Sequence, residues 1–138
     1  MLSSRWLFWW LYALFTACAV GQGWHADLLA FPGALGTAKA LLLVAYVAFL
    51  AYSVYCTTQE NLFRSVAVIG RLHWGRQIGA DLYLGLALAL SLIYLQQGAW
   101  VALLWLLPVL LFANLAVLVY VLVNFEAIVA MVARFAPA

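Results

Sequence analysis

The stretch LYLGLALALSLIYLQQGAWVALLWLLPVLLFANLAVLVYVLVNF, from Leu82 to Phe125, carries no formal charge and is broken only by the polar step Gln96-Gln97-Gly98. A run of this length has no stable place in water, so the chain reads as an all-α integral membrane protein. The remaining sequence agrees. Hydrophobic residues make up 70% and charged residues 7%, and the mean hydropathy is +1.13. No soluble domain has enough interior to hide so much apolar side chain.

About twenty apolar residues cross a hydrocarbon core of roughly 30 Å. Working outward from the quoted stretch, four segments reach or approach that length: Trp6 to Gly21, Thr37 to Thr57, Gln77 to Leu95 and Ala99 to Val123. The first resembles a signal peptide in placing Arg5 before an apolar run. It carries three Trp and a Tyr, however, and lacks a clean small-x-small cleavage site, so a retained helix is expected. No period-two pattern suggests a barrel. The expectation is a single transmembrane domain over residues 1–138, with four transmembrane helices in an antiparallel bundle and short links between neighbours.

Orientation is read from Lys and Arg in the short loops. The loop between the second and third segments holds Arg64, Arg71 and Arg76 against Glu60, whereas the other two loops have no Lys or Arg. This places it in the cytoplasm, and the expected location is a bacterial inner membrane, with the chain passing through it several times. Arg5 and Arg134 then fall on the same side, with both termini cytoplasmic. Lys39 sits at the outer end of the second segment, where its stem can snorkel outward.

The same loop has helical periodicity. Arg64, Val68 and Arg71 share one side and Leu62, Val66, Ile69 and His73 the other, which predicts a short cytoplasmic amphipathic helix in the interface plane. Arg64 and Arg71 are candidate contacts for lipid headgroups or a partner. Trp6, Trp9, Trp10, Trp24, Trp74 and Trp100 suit interfacial belts. Gly79 and Gly85 suggest a close helix approach on the third segment. Pro108 is expected to bend the fourth helix, and Asn114, near its middle, to bond across the bundle.

Asp81 is the most informative ionisable residue, about one turn into the third segment, where an unpaired carboxylate is costly. With His73, Arg76, Asn124 and Glu126 it makes a candidate polar cluster at the cytoplasmic face. Arg forks there match phosphate or headgroup oxyanions. Other chemistry finds no support. Cys18 and Cys56 fall toward opposite ends of antiparallel helices, and there is no CxxC motif. His25 and Asp27 are too few for a metal site, and no metal set is assigned. No GxxxxGK or GxSxG motif occurs, and no basic soluble surface is available for nucleic acid. The aromatic content is compatible with a bound pigment or quinone, but no motif selects one, so the cofactor is left unknown.

The resulting expectation is a small accessory or assembly subunit. It would act by helix packing against another integral membrane protein, a second copy or specific membrane lipids. The alternative is a small transporter or intramembrane enzyme using Asp81, with no catalytic residue assigned.

Overall fold

The computed structural model describes residues 4–23 and 26–135. These form helices α1 (Ser4–Gln22), α2 (Gly33–Gln59), α3 (Leu62–Ile69), α4 (His73–Gln97), α5 (Ala99–Phe112), α6 (Asn114–Val123) and α7 (Phe125–Phe135), with one 3-10 turn at Ala26–Leu29. The all-helical class stands. The count of four membrane-length helices does not.

Among the described residues two helices, α2 with 27 residues and α4 with 25, are long and apolar enough to cross a membrane. A third is obtained only by joining α6 and α7, which are bent by 76° at Asn124. Helix α1 is apolar but falls short, its apolar part running from Trp6 to Gln22. The segment Ala99 to Val123, expected to be the fourth span, is broken at Ala113 and turned back on itself. The Trp105 and Tyr120 rings meet edge to face at 4.9 Å, and Gln97 Nε2 donates to Asn124 Oδ1 at 2.6 Å. In one straight helix those pairs would lie about 22 Å and about 40 Å apart.

The reversal has a local cause. Ala113 adopts φ 48° and ψ −127°, a conformation that ends α5 and redirects the chain. Its N–H still bonds the Val109 carbonyl at 2.9 Å, closing the last turn of α5. Pro108 sits inside α5, and the helix continues past it to Phe112. The bend expected at the proline therefore falls five residues later, as a hairpin.

Packing explains why the hairpin is favoured. Folded back, α6 lies against α1, α2, α4 and α5, and its Leu115, Ala116, Val119, Tyr120 and Val123 are buried. All but Tyr120 of these join Tyr12, Leu86, Val109 and Phe112 in one apolar core cluster. A straight span would expose α6 on most of its circumference and forfeit those close contacts. Phe112 anchors the arrangement, its ring meeting Phe8, Tyr12 and Phe15 at 4.9, 5.0 and 5.7 Å.

The bundle has two distinct ends. Trp9 Nε1 donates to Thr57 Oγ1 at 3.0 Å, so the start of α1 meets the end of α2. Helix α3 and the start of α4 join them. At the other end lie Gly23 against Val123, the start of α2, the Gly98 turn and α7. Geometry demands glycine at the turns on either side of α4. Gly98 has φ 86° between α4 and α5, and a Cβ on Gly75 would sit 2.0 Å from the Ile69 carbonyl oxygen, where α3 turns into α4. The reversal at Ala113 thus carries α7 to the end opposite Arg64 and Arg76. Arg134 no longer shares an end with the start of α1, as four full crossings would require.

Candidate functional site

The polar residues singled out from the sequence are distributed over both ends. At the start of α4, Arg76 Nη2 donates to His73 Nδ1 at 2.7 Å. Asp81, one turn further, is exposed and has no hydrogen-bond or ion-pair partner among the described residues. Asn124 and Glu126 are not with them. From Arg76 to Gln97 is about 32 Å along α4, and Asn124 is bonded to Gln97. The sequence cluster depended on α5 and α6 being one span; the hairpin separates it into two sets.

Arg64 lies on the exposed surface of α3, where its N–H is capped by Asn61 Oδ1 at 3.2 Å. Arg71 is exposed in the turn after α3, which ends at Ile69. Asn114 begins α6 at the tip of the hairpin and is exposed, so it is not at the centre of a crossing helix. Gly79 and Gly85 have nothing within 4 Å of a built Cβ; they face away from the neighbouring helices of this chain. Trp24 and His25 lie outside the described residues, as do the side chains of Arg5 and Asp27. Among the described residues no group of three metal-binding side chains converges, and both cysteines are free.

Several polar contacts had no signal in the sequence. Lys39 is buried and forms an ion pair with Glu126, the second residue of α7. It also lies 5.8 Å over the Phe31 ring. The snorkelling expected of Lys39 is replaced by an internal tie, because α7 returns to the end where α2 begins. The Tyr12 hydroxyl lies 3.0 Å from the Tyr46 hydroxyl and 3.4 Å from the Leu115 carbonyl, linking α1, α2 and α6. The Tyr120 hydroxyl donates to Gln96 Oε1 at 2.8 Å, while Gln96 Nε2 is buried without a partner among the described residues. These are bonds between helices.

A cavity of about 530 Å³ opens at the Arg64 end between α1, α2, α3 and the hairpin tip. Its walls include Phe8, Trp9, Phe49, Tyr52, Phe63 and Phe112, and its polar edge carries Glu60, Asn61 and Ser65. The polar edge is placed by the connection between two helices. Glu60 ends α2 in an extended conformation and Asn61 begins α3 as its N-cap, while Ser65 Oγ donates to Glu60 Oε2 at 2.6 Å. The volume is in the range of small-molecule sites. In sequence, Glu60-Asn61 looks like an ordinary break between helices, with nothing to mark it as the rim of a cavity. No protein-family model matches the chain, and neither a curated protein nor a solved structure is similar to it.

Proposed function

We propose that the chain is a multi-pass membrane protein acting as an accessory or assembly subunit, with α4 packed against a helix of another integral membrane protein. The observation that carries this reading is the outward direction of the long apolar helices. None of the most apolar 18-residue window of α2 and only 11% of that of α4 is buried within the chain. Side chains so placed need acyl chains or another protein around them.

Asp81 supports a protein partner on α4 in particular. It is an exposed carboxylate without a described partner, on a helix whose neighbouring exposed residues include Ile78, Leu82, Tyr83 and Leu84. A carboxylate in that setting is stabilised by a donor or cation on a neighbouring helix. Exposed Trp6, Trp10 and Trp74 near the Arg64 end and Trp100 near the other fit two interfacial belts about 35 Å apart along α4. With Arg64, Arg71 and Arg76 at one end, that end is assigned to the cytoplasm of a cell with this protein in its inner membrane.

The test is purification of the full chain and of Asp81→Asn in mild detergent, with mass spectrometry of what accompanies each. The expected result is one membrane protein in fixed ratio with the native chain and its loss from Asp81→Asn, with helical content unchanged. Recovery of the native chain alone, together with proton-coupled uptake in liposomes that Asp81→Asn abolishes, would replace this reading with a transporter.

A further inference from the structure

The cavity at the end of α2 has a charge pattern that its surroundings do not predict. The exposed face at this end is basic, with Arg64, Arg71 and Arg76. None of them lines the cavity. Among the described residues lining it, Glu60 is the sole charged side chain. Its Oε2 is held by Ser65, and its Oε1 has no described partner. The only ion pair among the described residues is Lys39–Glu126, so no neighbouring base neutralises Glu60.

We infer that this cavity is a binding site for a bulky organic cation, one whose positive charge sits on an apolar body such as a quaternary ammonium or phosphonium. Two features select that chemistry. The walls are aromatic, supplied by α1 (Phe8, Trp9), α2 (Phe49, Tyr52), α3 (Phe63) and α5 (Phe112), and aromatic faces attract cations while also accepting apolar substituents. The carboxylate then sets the sign of the preferred charge at the rim. An anionic amphiphile would meet Glu60 unpaired, and a wholly apolar chain would leave that carboxylate unused.

The site is held by interactions already described. Trp9 is fixed by its bond to Thr57 at 3.0 Å and by edge-to-face contact with Phe8 at 5.7 Å. Phe112 is locked in the core by three rings. Glu60 is presented by a two-residue connection in extended conformation. Phe63 on the short helix α3 is exposed, as are Tyr52 and Phe49 on α2, so a ligand can enter between α3 and the end of α2 without disturbing the buried core. The inference is independent of whether α4 binds a partner.

The experiment uses the purified full chain in detergent and a pair of ions alike in shape and opposite in charge, tetraphenylphosphonium and tetraphenylborate, followed by calorimetry and tryptophan fluorescence. Saturable binding of the phosphonium is expected, with a fluorescence change that is reduced in Trp9→Phe and no saturable binding of the borate. Glu60→Gln keeps the acceptor for Ser65 and should weaken phosphonium binding at least tenfold. Phe63→Leu, on the exposed wall, should weaken it several-fold with unchanged helical content. Equal binding of both ions, no saturable binding of the phosphonium, or unchanged affinity in Glu60→Gln would each overturn the assignment. So would a phospholipid copurifying in the cavity that the phosphonium fails to displace.

Discussion

Lys39 and Glu126 illustrate how one ion pair can be asymmetric in its consequences. The Lys39 side chain is 3% exposed and that of Glu126 42%, so the ammonium depends on its partner far more than the carboxylate does. Glu126→Gln removes a negative charge beside a buried cation and should cost about 2 kcal/mol. That is below the roughly 3–5 kcal/mol for breaking a wholly buried pair, because solvent reaches the carboxylate side. Lys39→Met removes the buried charge itself and leaves Glu126 its solvent access, so its cost should stay within about 1 kcal/mol. Urea or thermal unfolding of both variants in one detergent measures the difference; equal losses would mean that the buried ammonium is held mainly by contacts other than Glu126. A second residue-level expectation concerns Tyr12, whose hydroxyl joins three helices. Tyr12→Phe keeps the ring in the core and should cost about 1 kcal/mol for the lost hydrogen bond.

At the level of elements, the α5–α6 hairpin makes a prediction whose sign separates it from a straight span. Ala113 occupies φ 48°, where glycine is at ease and an L side chain is strained. Ala113→Gly should therefore stabilise the protein by about 1 kcal/mol, and Ala113→Val should destabilise it by more than that amount. In a continuous helix the glycine would instead cost about 1 kcal/mol. Thermal unfolding midpoints decide the direction. The same residue shows why this element was illegible in the sequence. The reversal uses Ala, not the Gly that would have marked it, and residues 99–123 are apolar whether they cross once or fold back. Only their number, larger than one crossing needs, pointed to something else. Helices α2 and α4 were readable because each holds one long charge-free apolar run, from Ala40 to Cys56 in α2 and from Leu82 to Leu95 in α4. The amphipathic α3 was readable from its periodicity, although its end at Ile69 leaves Arg71 outside the helix. The candidate cluster of His73, Arg76, Asp81, Asn124 and Glu126 inherited the error in α5–α6, since its last two members were placed by assuming that crossing. The aromatic cavity was hidden for a different reason: its aromatic residues come from four helices, and no local spacing brings Trp9, Tyr52, Phe63 and Phe112 together.

For the whole molecule, the hairpin changes which parts of the chain share an end. An even number of crossings returns the C-terminal segment to the side of the start; the observed arrangement leaves α7 beside the beginning of α2, tied there by Lys39 and Glu126. If the long apolar helices α2 and α4 pass through the bilayer, the end of α2 and the end of α7 face opposite compartments. Two reporters, Thr58→Cys at the end of α2 and Ala133→Cys near the end of α7, are both at exposed positions and leave every Arg and Lys in place. In a background carrying Cys18→Ser and Cys56→Ser, a membrane-impermeant maleimide should label Ala133→Cys in intact cells and Thr58→Cys only after permeabilisation. The positive-inside preference of Arg64, Arg71 and Arg76 fixes which reporter is internal. Labelling of both from the same side would mean that residues 99–123 cross after all, and the packing of α6 at the centre of the bundle would have to be abandoned with the hairpin.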